Sequence, residues 1–333
     1  IHAASAHATN GHGGTEEEKV NITKVAFEHI LDSHYWHFWG EGEGTVALSL
    51  PCIIYSNKDG LQFFSSGVFH HGHEPYGKYS LVEEEIISSD PEEKIYDLSI
   101  TKNVVQLFIS AALLFWIFSS IAKAYKTTGV TSAPTGKQSF FEPLITFVRD
   151  DIAKDNIGNK SDKFVPYLLT VFFLILINNV LGMVPIGANL TGNIAFTFTL
   201  AACTLIITNI NGNKNYWMHI LMPPVPKALY LMMIPLEILG IFTKPFALMI
   251  RLFANMTAGH IIVISLVGLI FYFETLWISP ISVAFTLFID VLECLVAVLQ
   301  AYIFTLLTSQ FIGAAVAEHH HEEGHASEEH AAH

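Results

Sequence analysis

Six side chains able to carry a charge or a proton sit in sequence that is otherwise apolar. Glu237, Lys244, Arg251 and His260 fall in the stretch 228–272, and Asp290 and Glu293 fall in 278–317. A charge at the centre of a bilayer costs at least about 2.5–3.5 kcal/mol, so such residues normally face a cavity, a partner or an ion path. Their spacing is ordered. Glu237, Lys244 and Arg251 recur every seven residues, and seven residues on a helix drift by only about 20°. They form one polar stripe, which Asn255 extends four residues on. His260 lies nine residues beyond Arg251 and therefore on the opposite face. Glu293 and Gln300, again seven apart, share a face of the last stretch, with Asp290 one turn earlier.

The residue types define the chemistry. Arginine stays protonated in a low-dielectric medium, which makes Arg251 a poor proton carrier and a good fixed charge. His260 and Glu293 can both take up and release protons. A fixed cation flanked by titratable groups describes a proton path with a barrier in it. Two other readings use the same residues. Arg251 could pair with Glu293 or Glu237 only to hold helices together, as a structural anchor. Alternatively the chain could be a stand-alone ion-coupled secondary transporter or channel with Arg251 and Glu293 at its substrate site. That reading predicts internal repeats, and the two halves of the sequence show none. Lys244 reads as a residue that snorkels toward the inner interface.

These residues need membrane helices to hold them, and the composition supplies them. Of 333 residues, 51% are hydrophobic and only 14% charged, against about 25% charged in a soluble domain. The mean hydropathy is +0.44. Charge is concentrated at the ends: 22 charged residues lie in 1–102, 12 in 123–163, 5 in the tail from Glu318, and only 8 in 164–317. The expected fold is an all-α polytopic membrane protein of about five crossings with long tilted C-terminal helices, plus a small N-terminal extramembrane α+β module. Spans are expected near 103–122, 164–185, 193–211, 228–272 and 278–317. The first holds twenty uncharged residues, enough to cross a core of roughly 30 Å at 1.5 Å per residue. The last two exceed that need and must tilt or contain a re-entrant piece. Between the first two spans, Phe141, Leu144, Ile145, Val148 and Ile152 recur at helical spacing and predict an amphipathic helix on the membrane surface.

Lys/Arg bias gives the topology. Seven basic residues lie in 123–163, Lys214 and Lys227 lie in 211–227, and none lie in 185–192 or 273–277. The basic loops go inside, so the N-terminus is outside and the C-terminus cytoplasmic. The domain plan is thus an extracytoplasmic module over 1–100 with a disordered leader, a membrane domain over 101–317, and a His/Glu-rich cytoplasmic tail over 318–333. The chain starts at Ile1, and a removed signal peptide is one expected reason. In the module, 22–32 suits a short helix. The runs 46–55 and 61–69 read as strands flanking the turn Asn57, Lys58, Asp59 and Gly60. The aromatic run from Trp36 to Trp39 reads as packing or an interfacial belt. His70, His71, His73 and Glu74, and His319, His320, His321 and His325 in the tail, read first as solvated low-complexity sequence rather than metal sites. Three cysteines, Cys52, Cys203 and Cys294, make no disulfide framework. A net charge of -13 argues against nucleic acid as a partner. No cofactor or metal motif is present, nor a Gly-rich phosphate loop, so no nucleotide site is expected.

The run Arg251-Leu252-Phe253-Ala254-Asn255-Met256-Thr257-Ala258-Gly259-His260 resembles the signature helix of subunit a of the F-type rotary ATP synthase. Glu237, Lys244-Pro245 and Leu299-Gln300-Ala301-Tyr302-Ile303-Phe304 resemble neighbouring family positions, and the resemblance covers roughly 103–317. It implies a non-catalytic, proton-conducting stator subunit of a bacterial-type inner membrane. The implied partners are a c-subunit ring, b-type peripheral stalk subunits and the translocated protons. Arg251 would be the essential stator charge. Asn255, His260, Glu293 and Gln300 would line the outer half-channel, and Glu237 the inner one. Many bacterial members carry Glu at the His260 position and His at the Glu293 position. The exchange here keeps an acid–imidazole pair only if the two side chains are close in space. The segment 185–193 lacks the carboxylate many members have there.

Overall fold

A computed structural model of the chain describes residues 32–39, 46–72, 74–82, 84–129, 136–184, 187–222, 226, 229–273 and 278–317. The leader, the expected helix over 22–32 and the tail lie outside the described residues.

The N-terminal module is built from strands. The aromatic run forms β1 (Tyr35–Trp39), which pairs antiparallel with β2 (Val46–Ser49). Strands β3 (Pro51–Ser56) and β4 (Gly60–Ser65) form a hairpin in which Ser56 faces Gly60. Gly60 takes a φ of 74°, the left-handed conformation that glycine adopts at least cost. Strands β5 (Tyr79–Val82) and β6 (Glu85–Ser88) make a second hairpin, and β7 (Ile95–Asp97) pairs with β3. Cys52, Ile54, Phe69, Tyr79, Leu81 and Ile86 close a small core. Within it Glu93 accepts hydrogen bonds from Ser56, from Ser88 Oγ (2.7 Å) and from Lys78 Nζ (2.8 Å). Lys78, with Ser56 and Ser88, holds its carboxyl down at about 2 against the opposing effect of desolvation.

A buried imidazole ties the strands of the module together. His34 Nε2 donates to Asp97 Oδ2 at 2.9 Å, and Nδ1 lies 3.6 Å from Glu84 Oε2. Burial opposes the charge, but the two carboxylates outweigh it and raise the imidazole to about 9. The first membrane helix, α1 (Lys102–Thr128), starts five residues after β7.

The described part of the membrane region is mostly helical. It continues with α2 (Lys137–Thr146), a π-helical turn Phe147–Lys154, α3 (Ser161–Met183), α4 (Ile194–Ile210), α5 (Lys214–Leu221), α6 (Tyr230–Phe273) and α7 (Ile278–Val316). Among the described residues four helical segments are long and apolar enough to cross a membrane. The α4–α5 pair, bent by 102°, makes a fifth. Pro235 and Pro245 lie within α6. At 1.5 Å per residue, α6 and α7 run about 66 and 58 Å, roughly twice the hydrocarbon thickness.

The core of the bundle forms where α3, α6, α7 and the π-helical turn meet. Leu168, Phe172, Phe173 and Ile175 pack there on Leu248, Leu252, Ala301, Phe304 and Ile312. Val148, Ile152 and Ala153 are fully buried in the same cluster, and Ser309 Oγ of α7 donates to Ile152 O at 3.0 Å. The expected surface helix over 141–152 therefore turns much of its apolar stripe to protein rather than to lipid. By contrast, only 11% of the most apolar window in each of α6 and α7 is buried inside the chain, against 44% for 137–183. The long helices leave most of their apolar surface for lipid or a partner.

Candidate functional site

The site is framed by α3, α6 and α7. On α6, Leu248, Met249, Leu252 and Met256 are buried, and their spacing of three and four residues sets the inward face. Arg251 falls outside that set and is exposed. It makes no ion pair with Glu237, Asp290 or Glu293 among the described residues. Glu237 is half-buried two turns before Lys244, whose Nζ lies 5.7 Å from the Phe311 ring of α7.

His260 turns inward instead. Its Nε2–H donates to Gly182 O at the end of α3, 2.9 Å away. The other ring nitrogen, Nδ1, faces α7. Nδ1 lies 3.2 Å from Met256 O and 3.3 Å from Glu293 Oε1 on α7. The distance is that of an ion pair, but Glu293 Oε1 has no aligned hydrogen-bond partner among the described residues. Imidazole and carboxylate side chains are 14% and 9% exposed, so both are largely removed from bulk water.

The residue beside His260 makes the pair possible. A Cβ on Gly259 would lie 2.5 Å from Glu293 Oε1 and 2.9 Å from its Cδ. A side chain there would push the carboxylate from its present position. Asn255 is half-buried, and Gln300 is 4% exposed with Nε2 unpartnered. No hydrogen bond joins Asn255, Gln300 or Glu237 to the His260–Glu293 pair among the described residues. Asn178 and Asn179 of α3 were not singled out from the sequence. Asn179 Nδ2 donates to Ala297 O of α7, midway between Glu293 and Gln300, at 3.1 Å. The only sequence signal for them was a pair of amides in the middle of an uncharged run.

The comparisons with known proteins fit this geometry. The family model described as ATP synthase A chain matches residues 104–313, which include every candidate residue above. The chain belongs to the ATP synthase A chain family. ATP synthase subunit a of Chloroherpeton thalassium is 49% identical over 236 residues, covering 69% of this chain and 71% of that protein. ATP synthase subunit a 2 of Chlorobaculum tepidum is 45% identical over 266 residues, covering 78% and 73%. ATP synthase subunit a of Pelodictyon phaeoclathratiforme is 43% identical, covering 78% and 82%. As a member of the ATP synthase A chain family, the chain is a membrane subunit of ATP synthase. Residues 25–107 match a separate model, described as a domain of unknown function. Among the described residues no three His, Cys, Asp or Glu side chains converge to hold a metal ion.

Proposed function

We propose that this chain is the proton-conducting stator subunit of a rotary ATP synthase, with Arg251 as the fixed charge that couples proton movement to rotation. A proton arrives from outside through the His260–Glu293 pair, with Asn255 and Gln300 beside its path. It neutralises a carboxylate on the partnering c-ring, which then turns into lipid. The returning carboxyl meets Arg251, loses its proton toward the inside along Glu237, and leaves ionised. Each charge moved across 100 mV is worth about 2.3 kcal/mol, and several such steps per turn drive synthesis in the catalytic head. The chain itself performs no catalysis on nucleotide. Its b-type stalk partners would hold it still against the ring.

The observation that carries this reading is the division of α6. Arg251 stands exposed on one face, with no ion pair among the described residues, while His260 meets Glu293 on the other. A structural anchor would instead pair Arg251 with Glu237 or Glu293, and no such pair is found among the described residues. The topology is supported by which ends meet. The start of α1 contacts the 187–192 turn, where Ala188 N–H donates to Gln106 Oε1. At the other end, Asn213 donates to Ala315 O and Val316 O near the end of α7. Lys163, which reaches Asn211 Oδ1 at 2.6 Å, and Lys214 lie at this second end. Basic residues there support the reading that this end is the cytoplasmic one.

Arg251→Ala tests the proposal. The purified ATP synthase carrying it should assemble, hydrolyse ATP in the detached head, and fail to make ATP from an imposed proton gradient. Normal gradient-driven synthesis by the assembled variant complex would refute the role.

A further inference from the structure

The N-terminal module carries an apolar face that its own core does not use. Strands β4, β3 and β7 lie side by side in that order, and successive side chains point to opposite sides of such a sheet. On one side Cys52 and Ile54 close the module's core. The other side holds Tyr55 opposite both Leu61 and Tyr96, and Ile53 opposite Phe63. Leu98 flanks Ile53 on its other edge, and its N–H donates to Ile53 O at 2.8 Å. Phe63 and Leu98 are 68% and 62% exposed, and Tyr55, Leu61 and Tyr96 are exposed too. At roughly 200 Å² per large side chain, these leave on the order of 500 Å² of apolar surface uncovered, the size of an interaction site.

The face is ordered along its strands. The row farthest from α1 pairs Asn57 with Lys94, whose carbonyl accepts from Asn57 N–H at 3.3 Å. The next row holds the two tyrosines, with ring centroids 6.4 Å apart. The third is apolar throughout: Phe63, Ile53 and Leu98. The last joins Ile100 N–H to Pro51 O at 3.1 Å, and α1 starts two residues later at Lys102. Charge, then tyrosine, then aliphatic and phenyl groups is the order met on entering a bilayer from water. The acidic groups of the same segment turn the other way, Asp97 to His34 and Glu93 to Lys78. A docking protein could cover this area, but it gives no reason for polarity to follow distance from α1.

The sheet is also clamped to the membrane helix. Lys102 N–H donates to Ser33 O at 3.0 Å, and Asp32 accepts from Thr101 Oγ1 at 2.8 Å and from Asn103 N–H at 3.2 Å. At about 3.4 Å per residue, Leu98 lies at most about 14 Å from Lys102, and Tyr96 at most about 20 Å. Any tilt of the strand lowers these rows toward a headgroup layer about 5–8 Å deep.

We propose that the exposed face of the β4–β3–β7 sheet is a lipid-binding surface that lies on the bilayer where α1 enters it. Phe63, Ile53 and Leu98 reach the acyl boundary, and Tyr55 and Tyr96 sit among the headgroups. Binding is by apolar partition. With 6 basic and 16 acidic residues in 1–102, attraction to anionic headgroups does not supply it. The module thereby braces the start of α1 at a fixed depth. Neither the relay nor the direction of proton flow enters this reading.

Spin labelling of the intact ATP synthase tests it. Cys203 and Cys294 are replaced by serine and the buried Cys52 is kept. Phe63→Cys or Tyr96→Cys is introduced, with Glu92→Cys, at a side chain 86% exposed, as the water-side control. Each labelled complex is reconstituted into vesicles of three parts phosphatidylcholine to one of phosphatidylglycerol. The signal of the same complex without the added cysteine is subtracted. Because oxygen concentrates in hydrocarbon and a polar nickel chelate is excluded from it, the ratio of oxygen to nickel accessibility should be about threefold or more higher at 63 and 96 than at 92. Equal ratios at the three positions would place the face in water and overturn the proposal. An immobile label that neither reagent reaches would show a protein subunit covering the face, and would overturn it as well. The unmodified complex gives a second measurement that no substitution can disturb. Phosphatidylcholine with a diazirine next to its glycerol should cross-link to 51–55, 61–65 or 96–98 on irradiation, and not to 85–93. Cross-links to α1 without any to these strands would refute the lipid contact.

Discussion

Replacing Gly259 by alanine separates the geometry of the proton relay from the stability of the helix that carries it. In a helix interior alanine is favoured over glycine by about 1 kcal/mol, so α6 itself gains. The new methyl, however, would sit 2.5 Å from Glu293 Oε1, where real Cβ contacts do not fall below 3.0 Å and ordinarily begin at 3.4 Å. The carboxylate must therefore retreat by about 0.5 to 0.9 Å. The oxygen that must move is the one 3.3 Å from His260 Nδ1. A displacement near 1 Å in a positioned proton-transfer pair costs on the order of 100-fold in rate. Gradient-driven ATP synthesis by the reconstituted Gly259→Ala complex should fall by about ten- to a hundredfold, with undiminished assembly and thermal stability. Gly259→Ala with wild-type synthesis would refute the claim that the His260–Glu293 approach sets the proton rate. Loss of assembly together with loss of synthesis would show instead that the glycine serves packing.

The same pair predicts a reciprocal result. His260→Glu and Glu293→His should each slow gradient-driven synthesis at least tenfold, and the double exchange should recover much of it, as measured by a double-mutant cycle on the reconstituted complex. In the module, His34 is raised from 6.5 to about 9, so its contribution to stability is full below about pH 6.5 and lost as pH rises through 9. Amide hydrogen exchange of β3 and β7 in the intact complex, corrected for the intrinsic pH dependence, should show protection falling over that window by up to about 3 kcal/mol. His34→Gln should flatten the dependence, and an unchanged profile would remove the imidazole from the account. Asn179→Leu should weaken the α3–α7 contact by about 1 kcal/mol, lowering the detergent-melting temperature of the complex without altering the His260–Glu293 relay.

Charge and periodicity made much of this legible in advance. Intramembrane charges announce themselves because each is costly, and a seven-residue repeat fixes their shared face whatever the neighbours are. Nine residues between Arg251 and His260 do the opposite, and one side chain is exposed while the other turns inward. The exchange of acid and imidazole relative to many relatives argued that His260 and Glu293 meet, which helical spacing alone does not convey. Asn178, Asn179 and Gly182 escaped notice for a physical reason. Neutral amides and a glycine carry no charge, and their partners lie 68, 118 and 78 residues away. Only tertiary packing assigns such partners. The apolar stripe from Phe141 to Ile152 was visible as a period, but a period does not say whether lipid or protein covers it. The aromatic run became β1 because β2 offers it a ladder, a long-range pairing that a run of rings does not specify.

The bond from Asn179 Nδ2 to Ala297 O spans 118 residues, and that interval is also a time. At about 5–20 residues per second, it takes roughly 6–24 s of synthesis to supply the acceptor. During that delay α3 lacks the α7 acceptor for this amide, while α4, α5 and α6 are still being made. A carbonyl of its own helix can stand in, as Leu174 O does for the adjacent Asn178 at 2.8 Å. The last helix completes the fold as well as the relay.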